Sequence, residues 1–207
     1  MSGSIAAFKA CQVISRLTQE GSDVQVIATD SLSRFIGPAT LEGLTGRKPL
    51  VDLWEGGHAM DHIHLTRWAD AAVLCPASAN TLARLAHGLA DDMVSATALA
   101  WPIADKPFHI FPAMNTQMLR APATQANLRL LSERGFRITP GRPRGPWPAA
   151  IQARGVCPNL TTSWRVCGSL SPHPARADCS SPGARRGSRS MEFVLYRTSA
   201  QARRRRP

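Results

Sequence analysis

Residues 71–89 read AAVLCPASANTLARLAHGL, and this stretch decides the fold class. The apolar run Ala71–Cys75 predicts a strand that ends at Pro76, and residues 80–89 have the periodicity of a helix. Small and polar residues lie between the two. A short apolar strand followed closely by a helix is typical of a parallel sheet that is covered by helices on both faces.

The same alternation continues on both sides of this stretch. Further helices are predicted at 5–17 and 122–134, with a short helix through 34–36 and strands at 23–29, 108–111 and 136–139. The sequence therefore predicts one α/β domain over residues 1–140. In such sheets ligands bind beyond the carboxyl ends of the strands. The loops that follow Thr29, Cys75 and Phe111 are the places to look for chemistry.

Charge divides the chain at the same point. Residues 1–140 contain 12 Lys or Arg and 12 Asp or Glu, whereas residues 141–207 contain 13 Arg, no Lys and 2 acidic residues. The net charge of +11 thus belongs to residues 141–207, and charge does not indicate a nucleic-acid-binding domain. No apolar run approaches the roughly 20 residues of a membrane span, and no signal peptide opens the chain. We expect a cytoplasmic protein with no nucleic-acid or membrane partner.

Small polar residues follow several predicted strands. Gly3–Ile5 opens the first helix, where glycine, a hydroxyl and free helix N–H groups favour a phosphate, although a plain helix cap uses the same residues. Thr29 and Ser31 add hydroxyl groups after the next strand. Residues 76–81 (PASANT) and 112–115 (PAMN) follow two more. These groups fit a flat, phosphorylated cofactor better than they fit a metal ion.

His62 and His64 are the main candidates for proton transfer. Their spacing would suit a metal pair on a strand, but no third ligand is apparent, so no metal site is expected. A single histidine that acts as a general acid or base is more plausible, and the alternative is a surface histidine. Cys11 and Cys75 lie in apolar patterns, which favours buried free thiols over a disulfide.

Five motifs in order carry a family resemblance. They are Gly-Ser-Ile-Ala-Ala-Phe-Lys at 3–9, His-Ile-x-Leu-x-x-Trp-Ala-Asp at 62–70, Pro-Ala-Ser-Ala-Asn-Thr at 76–81, Ala-Asp-Asp at 90–92 and Pro-Ala-Met-Asn at 112–115. Together they resemble the FMN-dependent cysteine decarboxylases. Within that family the chain is most similar to the phosphopantothenoylcysteine decarboxylases of coenzyme A biosynthesis, over residues 3–140.

The resemblance implies a Rossmann-like, flavodoxin-like three-layer fold, with FMN bound between the subunits of a homotrimer. His62 matches the active-site histidine of the family, and Asn115 matches the amide that holds the substrate carboxylate. The cofactor contacts of the family fall on Gly3, Ser4, Ile5, Thr29, Ser31, Ser78, Asn80, Thr81 and Met114.

The resemblance also implies a reaction and a substrate. Flavin oxidises the cysteinyl thiol of phosphopantothenoylcysteine to a thioaldehyde, which acts as an electron sink so that carbon dioxide can leave. A cysteine on a mobile flap then helps to return the enethiolate to the saturated thiol. Two other functions remain open: oxidative decarboxylation of peptides that end in cysteine, and a non-catalytic FMN-binding or regulatory subunit.

Two departures from the family pattern stand out. The family has an apolar strand before Gly-Ser-Ile-Ala, whereas here only Met1-Ser2 precede Gly3, so we expect a truncated first strand and a misplaced start codon. After Pro140 the alternation of helix and strand stops. Residues 141–207 are rich in Arg, Pro and Ser, which predicts a disordered tail. A basic arm that binds nucleic acid or membrane is the other interpretation.

The tail also permits a different explanation. Back-translation of residues 147–165 in a shifted frame permits a Cys-Gly-Asp motif that resembles the flap of the family. We therefore hypothesise a frameshift near residues 141–144. The tail would then be out-of-frame, and Cys157 and Cys167 would not be catalytic.

Overall fold

A computed structural model describes residues 1–55, 60–139 and the backbone of 194–197. Helices and strands alternate along the chain, which confirms the predicted α/β class. The elements are α1 (Ala7–Gln19), β1 (Asp23–Val26), a short 3-10 helix (Asp30–Arg34), α2 (Pro38–Thr45), α3 (Asp61–Trp68), β2 (Ala72–Ala77), α4 (Ala79–His87), α5 (Met93–Leu99), β3 (Phe108–Pro112), α6 (Thr116–Arg120), α7 (Pro122–Glu133), β4 (Arg137–Ile138) and β5 (Val194–Arg197).

Strands β2, β3 and β4 form a parallel sheet in that order. Every residue of β2 and of β3 is buried. Strands that are covered on both faces have near-continuous apolar sequences, and this is why the two strands were visible in the sequence. Strand β2 runs past the predicted end at Pro76, with a shift in register between Leu74 and Ala77.

Two apolar clusters cover the two faces of the sheet, which makes the domain three-layered. Val73 and Cys75 face the cluster that contains α1 and β1, whereas Ala72 and Leu74 face the cluster that contains α4 and α5. This alternation follows from the two-residue period of a strand. Cys11 and Cys75 are thiols and not a disulfide, with Cys75 buried and Cys11 partly buried, in agreement with the prediction.

Met1 and Ser2 lie where the sequence analysis expected a truncated first strand. The Met1 amino group donates to the carbonyl of Ile27, and the Thr29 N–H donates to the carbonyl of Met1 at 2.9 Å. On the other side, the Ser2 N–H donates to the carbonyl of Pro76 at 3.3 Å. These two buried residues therefore bridge the ends of β1 and β2.

Strand β5 corrects one part of the predicted disorder in residues 141–207. It pairs antiparallel with β1, from Asp23 opposite Arg197 to Val26 opposite Val194. A strand edge with unpaired N–H and C=O groups is a template for a further strand, and β5 uses the edge of β1. Residues 141–193 and 198–207 lie outside the described residues.

Four helices were not predicted: α2, α3, α5 and α6. Helix α2 buries only Leu41, and α5 is buried all round from Met93 to Ala98, so neither shows a clear one-sided pattern. Helix α6 has only five residues. Within residues 1–55 and 60–139, no helix is both long and apolar enough to cross a membrane.

Candidate functional site

The strands have two ends, and the predicted site residues other than His62 lie beside one of them. We call the edge at which β1, β2 and β3 end the carboxyl edge, and the opposite one the amino edge. Ala77 of β2 is level with Pro112 of β3, and the Ala113 N–H donates to the carbonyl of Ala77 at 2.9 Å. Because Met1 and Ser2 bridge β1 and β2, the start of α1 lies at the same edge.

Gly3 packs directly against the loop that follows β1. A Cβ atom on Gly3 would lie 2.5 Å from Ser31 Oγ and 2.8 Å from Ser31 Cβ, so only glycine fits without displacing this loop. Thr29 Oγ1 lies 3.1 Å from Ser31 Oγ. Ser4 Oγ accepts a hydrogen bond from the Ala6 N–H at 3.3 Å. We call the side chains of Ser4, Thr29 and Ser31 the hydroxyl cluster.

The hydroxyl cluster has the chemistry of a phosphate site. It adjoins the N-terminus of α1, where N–H groups lack partners within the helix and the helix dipole favours an anion. The first turn of α1 carries no acidic residue that would compete with an anion. The close approach of the Gly3 backbone to Ser31 and the three hydroxyl groups therefore fit the phosphate of a cofactor such as FMN.

Ser78 joins the start of the chain to helix α4. Ser2 Oγ donates to the carbonyl of Pro76 at 2.8 Å and accepts from the Ser78 N–H at 2.9 Å. Ser78 Oγ accepts from the Thr81 N–H at 3.3 Å and so caps α4. Asn80, between them, is exposed. The sequence analysis missed the role of Ser2, because a serine near the start of the chain carries no signal of a contact 76 residues away.

Asn115 caps the short helix α6. Its Oδ1 accepts a hydrogen bond from the Gln117 N–H at 2.8 Å, which fixes the orientation of the amide. Within the described residues its Nδ2 makes no hydrogen bond and remains available as a donor. The neighbouring Met114 side chain is packed in the core, which leaves its backbone at the carboxyl edge.

His62 lies in the first turn of α3. Its Nδ1 is buried and has no hydrogen-bond partner in the described part of the chain. His64 is exposed, with its Nδ1 3.8 Å from the carboxylate of Asp61. Because residues two apart lie on different sides of a helix, the two imidazoles diverge.

The strand alternative for the histidine pair is therefore wrong. Residues 61–68 are helical, and residues 1–55 and 60–139 contain no group of three or more His, Cys, Asp and Glu that could hold a metal ion. No described hydrogen bond connects His62 with the hydroxyl cluster. The structure thus places the cluster, Ser78 and Asn115 along one edge and His62 on a separate helix.

Apolar side chains beside the hydroxyl cluster are exposed. Ile5 is 51% exposed, Phe8 46% and Phe35 48%. Ile5 and Phe8 belong to the segment that carries Ser4, and Phe35 follows the loop that carries Ser31. This side of the carboxyl edge therefore offers both polar and apolar groups to a ligand or to another protein surface.

Comparisons with known proteins agree with this geometry. The Flavoprotein family model matches residues 1–162. The bifunctional coenzyme A biosynthesis protein CoaBC of Escherichia coli K12 is 43% identical over 140 residues, which are 67% of this chain and 34% of that protein. The chain thus spans about a third of the length of this curated relative.

The two similar solved structures described next are also decarboxylases. The FMN-dependent cysteine decarboxylase SpaF has a TM-score of 0.65 and 33% identity, covering 78% of this chain and 88% of SpaF. A cysteine-to-serine mutant of PPC decarboxylase in complex with pantothenoylaminoethenethiol has a TM-score of 0.60 and 34% identity, covering 68% of this chain and 79% of that one. The chain has the flavodoxin-like fold of these proteins and belongs to the Flavoprotein family.

Proposed function

We propose that this chain binds FMN at the carboxyl edge and decarboxylates phosphopantothenoylcysteine to phosphopantetheine, as a carboxy-lyase of coenzyme A biosynthesis. The observation that carries the proposal is the packing of the Gly3 backbone against Ser31 beside the N-terminus of α1. The similarity to CoaBC and to the PPC decarboxylase structure supports the choice of reaction. A cytoplasmic location is part of this proposal.

Different residues at the carboxyl edge contact different parts of the cofactor. The hydroxyl cluster and the first N–H groups of α1 hold the phosphate, because hydrogen bonds to a charged acceptor are stronger than neutral ones. Gly3 keeps the loop close enough for all three hydroxyl groups to converge. The remaining cofactor contacts that we propose are with Ile5, Ser78, Asn80, Thr81 and Met114.

Two side chains act on the substrate. Bound FMN supplies a two-electron acceptor for the cysteinyl thiol, so that the carboxylate can leave as carbon dioxide. The Nδ2 of Asn115, which the cap leaves unpaired, donates to the substrate carboxylate. His62 supplies an imidazole for proton transfer, and its buried Nδ1 has no hydrogen-bond partner among the described residues.

A second copy of the chain completes the site. Ile5, Phe8 and Phe35 are about half exposed beside the hydroxyl cluster, and such apolar surface is costly unless another surface covers it. His62 makes no described hydrogen bond to that cluster. We therefore place FMN between two subunits, and the family resemblance implies that the assembly is a homotrimer. Light scattering of the purified protein with FMN should then give three times the mass of one chain.

The experiment that tests the function is a carbon dioxide release assay. The purified full chain is incubated with FMN and phosphopantothenoylcysteine, with omission of FMN as the control. We expect carbon dioxide to form only when FMN is present, with the enethiolate accumulating in place of phosphopantetheine where the flap cysteine is lost. FMN binding with no carbon dioxide from any cysteinyl substrate would contradict the proposal, and would assign the chain to the non-catalytic FMN-binding subunits instead.

A second candidate is the oxidative decarboxylation of a peptide that ends in cysteine. SpaF, to which the chain is similar, is described as an FMN-dependent cysteine decarboxylase, and this description fits a peptide substrate as well as phosphopantothenoylcysteine. The two reactions differ in their products, because the oxidative reaction leaves the peptide without carbon dioxide and two hydrogen atoms. Mass spectrometry of a cysteine-terminated peptide incubated beside phosphopantothenoylcysteine distinguishes them. Preference for the peptide would replace our first choice.

We also propose that residues 1–140 form the flavoprotein domain and that a frameshift near residues 141–144 places residues 141–207 out of frame. The chain would then lack the flap cysteine, which would impair the return of the enethiolate to the saturated thiol. The balance of charge up to residue 140 and the Cys-Gly-Asp motif in the shifted frame support this. The coding DNA should be read again across codons 138–165. Third bases that cannot encode Cys-Gly-Asp in the shifted frame would contradict the hypothesis.

A further inference from the structure

Helix α3 packs little apolar surface against the rest of the domain. It has only eight residues, and Thr66 is its one fully buried residue. Leu65 and Trp68 are partly buried against the core. A helix this short is marginal by itself, so its position depends on contacts with the rest of the domain.

Lys106 supplies such a contact at the C-terminal end of α3. Its ammonium group donates to the carbonyls of Thr66 at 2.8 Å, Arg67 at 3.1 Å and Ala69 at 2.6 Å. Carbonyls in the last turn of a helix have no N–H partner within the helix, and a cation there also interacts favourably with the helix dipole. One side chain thus satisfies three carbonyls at the end of α3.

Lys106 is itself held in position. Trp101 Nε1 donates to the carbonyl of Lys106 at 3.0 Å, and the ammonium group lies 5.9 Å from the centroid of the Trp101 ring. Burial lowers the pKa of Lys106, while the carboxylates of Asp70 and Asp105 act in the opposite direction. Lys106 comes just before β3, so it connects α3 with the amino edge of the sheet.

We propose that Lys106 is a positioning residue for His62. An eight-residue helix is about 12 Å long, so a rigid anchor at one end fixes where the other end lies. His62 is in the first turn of the same helix, and Met60, just before it, is exposed. This inference rests on the proposed function for the role of His62 in proton transfer, and on the three carbonyl contacts for the anchor.

The test compares Lys106→Met, which keeps the length of the side chain but cannot donate, with Lys106→Arg. Lys48→Met is the matched control, because Lys48 lies on the surface with Glu55 as its partner. The readouts are amide exchange of α3, the NMR chemical shifts of the His62 ring, the Kd for FMN, and kcat with KM. A misplaced catalytic group typically costs up to about a hundredfold in rate, so we expect kcat to fall about tenfold or more.

In Lys106→Met we expect amide exchange in α3 to rise about tenfold and the chemical shifts of the His62 ring to change, with the Kd for FMN within about twofold of the original. Lys106→Arg should restore most of each change, and Lys48→Met should change none. An unaltered α3 exchange rate and unaltered His62 chemical shifts in Lys106→Met would overturn the proposal. If Lys106→Met does not fold, Lys106→Gln replaces it in the test. Its side chain has two N–H groups, so amide exchange in α3 should rise to an intermediate rate. An unchanged rate overturns the proposal.

The outcome is separable from that of the proposed function. If His62→Asn leaves carbon dioxide release unchanged, the catalytic role of His62 is wrong, whatever Lys106 does. If His62→Asn abolishes the reaction and Lys106→Met behaves as the unaltered chain in all four readouts, only the positioning role is wrong. The amide exchange and chemical-shift readouts require no turnover.

Discussion

Polar groups at the amino edge and at the carboxyl edge differ in how completely they are paired within the chain. Toward the amino edge, charged side chains find their partners within the chain: Lys106 binds three carbonyls, and Arg84 lies 2.6 Å from Asp92 and 3.1 Å from Asp91. At the carboxyl edge the polar groups of the described site are hydroxyls and amides, with no charged side chain paired to them. Exposed apolar residues such as Ile5 lie beside them.

This difference in pairing indicates which polar groups stabilise the fold and which are available to a ligand. A buried polar group without a partner is costly, so groups that serve the fold are paired within it. Groups that serve a ligand remain incompletely paired until it binds. Substitutions toward the amino edge should therefore change the free energy of unfolding, whereas substitutions at the carboxyl edge should change binding and turnover.

His62→Asn should give the largest effect, on turnover alone. Removal of a general acid or base typically costs about 100-fold to 10,000-fold, so we expect kcat to fall at least about 100-fold. His64→Asn is the matched control on the same helix, since His64 is exposed and contacts only Asp61 among the described ion pairs. Equal activity of the two variants would remove His62 from the mechanism.

Gly3→Ala comes next and should act on FMN binding. The added methyl group would lie within 2.5 Å of Ser31 Oγ and 3.0 Å of the Ser31 carbonyl oxygen, so the loop must move away from the phosphate. Loss of one charged hydrogen bond costs about 1.5–3 kcal/mol, which corresponds to an increase in Kd of about 10-fold to 100-fold. Gly43→Ala, with no atom within 4 Å, should bind FMN normally. A tight Gly3→Ala complex would show that the phosphate lies elsewhere.

His109, in the interior of β3, is an exception to this comparison. Its Nε2 is enclosed by the core and has no hydrogen-bond partner among the described residues. Burial, with a smaller effect of Arg137, lowers its pKa from 6.5 to about 4. The unfolded chain therefore takes up a proton first as the pH falls below about 6.5, and stability is lost progressively down to about pH 4.

Replacement of His109 by Gln should remove this pH dependence. Between about pH 7 and pH 5 the unaltered chain should lose up to about 2 kcal/mol more of its free energy of unfolding than His109→Gln does. Urea unfolding at both pH values measures the difference, with the exposed His87→Gln as the control. If the free energy of unfolding falls in parallel with pH for all three proteins, burial does not keep His109 neutral in the folded state.

Asp92→Ala should have the smallest of these effects, confined to stability. Asp92 Oδ1 accepts from the Ser95 N–H at 2.8 Å in a capping box at the start of α5. Loss of such a cap costs about 1 kcal/mol, and Arg84 would also lose a partner. Asp91→Ala should cost less, because Asp91 is largely exposed. A change in FMN affinity for Asp92→Ala would contradict the division between the two edges.

The sequence predicted what local patterns determine. Strands β2 and β3 were visible as apolar runs, and the position of the hydroxyl cluster followed from the rule that ligands bind beyond the carboxyl ends of strands. Contacts between distant residues were not predictable: Lys106 binds a carbonyl 40 residues away, and β5 pairs with a strand near the other end of the chain. Helix α5, buried on every side, gave no one-sided period to detect.

The central claim is that the carboxyl edge holds a phosphate of FMN, and a comparison of FMN with riboflavin tests it most directly. The two ligands share the flavin ring, but riboflavin lacks the phosphate. Fluorescence titration of the purified full chain should give a Kd for FMN at least about 100-fold lower than for riboflavin, and Gly3→Ala should abolish most of this preference. Equal affinities for the two ligands, or no binding of either, would contradict the account.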